Sequence, residues 1–112
     1  MDTRQSTVNF SEQVQSQVKA FSARVKQVAP DAQIIVFGSQ ASGKATKHSD
    51  IDVCVVSSKW SSDYHAGTLT LLTIAHEFPL PMDVIPYSPE DFANKYDALA
   101  KEVRTNGIHV FA

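Results

Sequence analysis

The residues whose types and spacing could do chemistry are Gly38-Ser39, then Asp50-Ile51-Asp52 after ten intervening positions, and later Asp83. On a strand, side chains two apart point to the same face, so Asp50 and Asp52 share one side with Cα atoms roughly 6.5 Å apart. Carboxylates placed this way repel, and their pKa rises unless a cation compensates. A hard divalent ion resolves the conflict, because magnesium prefers carboxylate and phosphate oxygens and usually keeps several waters. A nucleoside triphosphate supplies oxygens for the ion to share. Two ions about 3.5–4 Å apart can activate an attacking oxygen while stabilising a leaving pyrophosphate. Asp83 is the natural further carboxylate.

Gly38 supplies the complementary part, since a glycine after a strand lets the main chain approach a phosphate and the following amides can point at it. Ser39 adds a hydroxyl and, where it opens a short helix, free amide donors. Lys44 and Lys47 lie in the same loop as candidate phosphate contacts, although a solvated lysine is the default for such positions. Asp-x-Asp alone is a weak signal, because acids spaced by two are common on exposed strand ends. The Gly-Ser, the interval, the flanking apolar strands and the later acid carry the reading together.

These residues need elements to position them. Val14, Val18, Phe21, Val25 and Val28 recur at steps of four and three, which predicts a helix of about five turns, with Asn9 and Glu12 as its capping pair and Pro30 as its stop. Gln33-Ile34-Ile35-Val36-Phe37 reads as a strand covered on both faces. The stretch from Ser39 to Ser49 is a loop or short helical turn. A second strand runs from Asp50 to Val56. Ser61, Ser62 and Asp63 can cap a helix carrying Tyr64, Leu71, Leu72, Ile74, Ala75 and Phe78. Pro79 and Pro81 then force an extended approach to a third strand, Met82 to Ile85. Ser88-Pro89-Glu90-Asp91 is a strong helix start, and Phe92, Tyr96, Leu99 and Val103 continue it as a core stripe to Gly107. Ile108 to Phe111 is a short last strand or edge.

With 112 residues, 43% apolar and 20% charged, the chain is expected to form one ordinary globular domain, residues 1–112. Its net charge of −2 and scattered Lys and Arg argue against non-specific nucleic-acid binding. The single cysteine, Cys54, sits in an apolar run as an inert buried thiol and fits a reducing cytoplasm. No apolar run approaches the roughly 20 residues of a membrane span. The four histidines show no metal-ligand spacing, with His48 a minor candidate for its closeness to the acids, and Trp60 and Tyr64 read as packing rather than base-stacking residues.

Gly38-Ser39-Gln40-Ala41-Ser42-Gly43, then Ser49-Asp50-Ile51-Asp52 and Asp83, resemble the nucleotidyltransferase superfamily that includes DNA polymerase beta, and most closely its minimal members. The resemblance implies an α+β fold, a mixed sheet with helices packed on it in the order α-β-β-α-β-α-β. It implies two magnesium ions held by Asp50, Asp52 and Asp83, with Gly38 and Ser39 near the phosphates. The implied reaction moves a nucleoside monophosphate, AMP from ATP, onto a hydroxyl. It also implies a protein partner of the helical HEPN type, commonly a ribonuclease toxin that such an antitoxin adenylylates, or a second copy of the chain. Many minimal members carry arginines where this chain has Gln40 and Ser42. That departure keeps open a rival reading, a non-catalytic module that binds nucleotide and metal or a partner.

Overall fold

The structure, a computed structural model, describes residues 10–111. Helix α1 (Glu12–Val28) buries Val14, Val18, Phe21 and Val25, the stripe predicted from their spacing. Ser11 caps it, its Oγ accepting from the Val14 amide at 3.2 Å. Asn9, the predicted cap, lies outside the described residues.

Strand β1 (Gln33–Phe37), a short helix α2 (Ser39–Ser42) and strand β2 (Ile51–Val56) follow. A 3₁₀ turn (Ser58–Trp60) leads to α3 (Tyr64–Ala75), which returns the chain to β3 (Met82–Tyr87). Helices α4 (Pro89–Phe92) and α5 (Ala98–Asn106) precede the last strand, β4 (Ile108–Val110). The sheet order is β3-β2-β1-β4, with β1 antiparallel to both β2 and β4 and β2 parallel to β3. The fold is α+β with a mixed sheet, as the resemblance implies. No helix among the described residues is long and apolar enough to cross a membrane.

The alternation of side chains divides the sheet's neighbours in two. Ile34, Val36, Ile51, Val53, Val55 and Val84 face a large core shared with α1, α3 and Trp60. Ile35, Cys54, Val56 and Tyr87 face a smaller one shared with Ala100 and Val103 of α5. Each fully buried Val or Ile contributes about 1.5–3 kcal/mol, so the first layer supplies most of the driving force. The second layer covers only part of its face. That asymmetry leaves one end of the sheet open.

Several boundaries differ from those the sequence predicts. Helix Ser88–Gly107 is two helices: Asn94 Oδ1 accepts from the Tyr96 amide, and Asp97 starts a new helix by accepting from Ala100. These local side-chain bonds offer the backbone an alternative to continuing the helix. Tyr96 therefore leaves the predicted core stripe and is 84% exposed. Strand β2 starts at Ile51 rather than Asp50, and β3 extends through Pro86 to Tyr87. Proline is tolerated there because β3 is an edge: the Pro81 and Tyr87 carbonyls face β2, so alternation turns the Pro86 nitrogen outward.

The approach to β3 is held by a contact that the sequence does not announce. Gln17 is 5% exposed, and its amide donates to the Leu80 carbonyl at 2.8 Å and accepts from the Leu80 amide at 3.0 Å. This two-point clamp fixes the Pro79–Pro81 segment against α1 and so helps to set where β3 begins. Gln17→Leu keeps the volume but leaves both Leu80 groups without a partner. Urea unfolding should show a loss of about 1–3 kcal/mol.

Candidate active site

The register of the sheet brings two of the sequence-predicted acids together. Asp52 is the partner of Asp83 across β2 and β3, and of Phe37 across β2 and β1. Register partners project to the same face, and neighbouring strands lie about 4.8 Å apart. Asp83, Asp52 and Phe37 thus form one row across the face that carries α5, followed by a row of Ile85, Cys54 and Ile35. The second row is packed; the first lies at the open end, where Asp52 is half-buried and Asp83 exposed. Phe37 is expected from the sequence only as the last residue of its strand. Its alternation with Ile35 just before Gly38 was the available signal.

Asp50 sits one residue before β2 and is exposed. Its charge still reaches Asp52, whose carboxyl is held above the usual carboxylate range by burial first, then by the charge of Asp83, then by that of Asp50. The three acids therefore share one electrostatic neighbourhood.

Gly38 closes the other side. It adopts φ 72° and ψ −146°, a region essentially reserved for glycine, and a Cβ there would lie 2.3 Å from Asp52 Oδ2. The turn that starts α2 is thus built around the Asp52 carboxylate. Helix α2 ends at Gly43, φ 78°, whose added Cβ would meet nothing within 4 Å. Ser39 is half-buried beside this turn.

The lysines are less closely tied to the acids. Lys44 and Lys47 are both exposed, and Lys47 lines a cavity on the α1 side of the loop. The loop itself is ordered by its own groups, with Ser49 Oγ accepting from the Thr46 amide at 2.9 Å. His48 is exposed in the same loop, and Trp60 is buried with its indole N–H donating to the Val55 carbonyl. Tyr64 serves α4: its hydroxyl donates to Asp91 at 2.6 Å and accepts from the Ser88 amide. Cys54, behind the acids, is pushed up to about 12 by burial and by Asp97, and is inert as expected.

Among the described residues no three Asp, Glu, His or Cys side chains are close enough to hold a metal ion as they stand. The donor set nonetheless suits a hard ion: carboxylates alone, on one open face, with a negative charge that Asp52 bears at a cost.

The sequence model of the nucleotidyltransferase domain family matches residues 16–106. A terminal uridylyltransferase of Schizosaccharomyces pombe is 50% identical over 32 residues, which are 29% of this chain and 8% of that relative. The chain therefore spans a small fraction of the curated relative it matches.

Two outcomes test the site's electrostatics and its turn. The raised pKa of Asp52 means that the folded state holds the proton more tightly than the unfolded one. Stability therefore falls as pH rises from the ordinary carboxylate value through the folded one. Asp52→Asn removes this cost, and in EDTA at pH 7 it should raise the Tm by about 2–4 °C after allowing for solvent screening, a gain that vanishes below the carboxylate range. Gly38→Ala both strains the backbone and displaces the Asp52 carboxylate, whereas Gly43→Ala only strains it. Thermal unfolding should show a loss of about 1–3 kcal/mol for each, and only the first should also weaken binding of magnesium and triphosphate.

Proposed function

The chain belongs to the nucleotidyltransferase domain family, and from that premise we propose that it transfers a nucleoside monophosphate from a triphosphate, ATP in the first instance, to a hydroxyl on a partner protein. The single observation that carries the reading is the side-by-side pairing of Asp52 with Asp83 at an open sheet end, beside a glycine turn moulded to the Asp52 carboxylate. In this reading Asp50, Asp52 and Asp83 hold magnesium, two ions in the full site. The metal supplies charge for the triphosphate and the departing pyrophosphate.

The chain's own residues do the rest. The Gly38-Ser39 turn brings main-chain amides and the Ser39 hydroxyl toward the phosphates, with Lys44 a loop cation within the same segment. Asp83, the more exposed of the paired acids, faces the acceptor and takes the proton of its hydroxyl. The acceptor oxygen attacks the α-phosphorus, the bond from that phosphorus to the bridging oxygen breaks, and pyrophosphate leaves. Positioning and charge neutralisation supply most of the rate in such transfers.

The acceptor belongs to another molecule in this reading, a helical HEPN-type protein silenced by the modification or a second copy of the chain. Gln40 and Ser42, in place of the arginines that many minimal members carry, favour the rival in which the chain only binds nucleotide or partner. The protein encoded beside this one, incubated with the chain, magnesium and each nucleoside triphosphate, should gain one nucleoside monophosphate by intact mass, most readily from ATP. Asp52→Asn should slow that gain about 10²–10³-fold, the scale of single electrostatic contacts to a transition state. Tight association without any added mass would instead favour the binding module.

A further inference from the structure

The start of α1 and the loop of residues 43–49 enclose a cavity of about 590 Å³, within the range of small-molecule sites. Val14, Ile51 and Leu80 give it an apolar floor, and Gln40, Lys47 and His48 give it a polar rim. Ile51 packs with the α1 side of the sheet, and Asp52, one residue on, projects to the other side. The cavity is therefore separate from the acid face.

Gln40 is the informative residue. It is 8% exposed and lines the cavity, and its side-chain amide has no hydrogen-bond partner among the described residues. That amide is reached by solvent through the cavity, where a ligand's donor and acceptor can take the place of water. The rim is already shaped by its own bonds: Thr46 Oγ1 accepts from the His48 amide at 3.2 Å, and the Thr46 amide donates to Ser49 Oγ. Among the described residues no carboxylate lines the cavity, and Lys47 is the one that brings it a full charge. A glutamine amide offers a donor and an acceptor side by side, the pattern that complements the N6 and N7 edge of adenine. An apolar floor suits the flat base, and Lys47 suits a phosphate.

We infer that this cavity is a second nucleotide site that takes an adenosine monophosphate without a metal ion. Gln40 reads the base edge, and Lys47 meets the phosphate. Gln40 follows Ser39 and Ser49 precedes Asp50, so an occupant holds together the two segments that flank the acid face. Binding stands on the cavity alone; only its influence on transfer rests on the function proposed above.

Calorimetric titration of the full chain with AMP in EDTA tests it. The expected result is saturable one-to-one binding, weakened at least about tenfold by Gln40→Leu and by Lys47→Ala, unaffected by Asp52→Asn, and tighter for AMP than for UMP. Lys47 is exposed, so its variant stays informative even where Gln40→Leu fails to fold. Absence of heat at millimolar AMP overturns the inference, as does equal affinity for UMP, or binding that Asp52→Asn abolishes and Lys47→Ala leaves intact. Magnesium-dependent ATP binding by the same chain, measured separately, reports on the acid face, so either site can fail without the other.

Discussion

Asp52 and Asp83 stand next to each other because β2 and β3 pair in parallel in one register, and that pairing places two negative charges where the sheet has no packing to offset them. A one-residue slip would turn Asp83 to the opposite face and put Met82 or Val84 in its place. Register is held against such a slip by the α1-side core, where Ile51, Val53, Val55 and Val84 are almost fully buried. Hydrophobic burial on one face thus sets charge placement on the other. The Gln17 clamp on Leu80 adds a polar restraint just ahead of the strand that carries Asp83.

The two ends of the acid-bearing face show how differently acids can be housed. Asp31, beyond the far end of the sheet, accepts from the hydroxyls of Ser57 and Ser58 and from the Ser58 amide, and these bonds hold it down to about 2. Asp97 likewise is held low, first by the Ala100 amide, and it accepts from the Tyr87 hydroxyl. Asp52 goes the other way, raised first by burial and then by the like charges of Asp83 and Asp50. Local donors satisfy the first two at no cost to the fold, whereas the third is left to be satisfied from outside. That contrast separates a structural carboxylate from one with an unmet demand.

Much of this was legible in the chain itself. Strong periodicity announced α1, a short branched apolar run announced β1, and the acids, the Gly-Ser turn and the buried cysteine stood out by residue type and position. The break between α4 and α5 was not, because Phe92, Tyr96, Leu99 and Val103 keep a helical spacing while Asn94 and Asp97 impose local turns by side-chain bonds. Gln17 was passed over, and Gln40 was noted only for the arginine it replaces, for a related reason. A glutamine reads as surface on a single sequence, and only tertiary packing shows one clamping a strand approach and the other lining a cavity. Phe37 likewise needed the antiparallel register to become a neighbour of Asp52.

Gly38 joins these threads into a constraint on what the acid face can become. Its conformation excludes a side chain, and the space a Cβ would take is filled by Asp52 Oδ2, so the turn and the carboxylate share one volume. In the function proposed above, a shift of the Asp52 carboxylate would change the space beside the main chain of the turn, and a phosphate at that turn would in its turn bear on the carboxylate. In the function proposed above, steric contact of this kind would couple cation and phosphate without a bridging side chain, so the absence of arginines at positions 40 and 42 would not by itself disconnect the two.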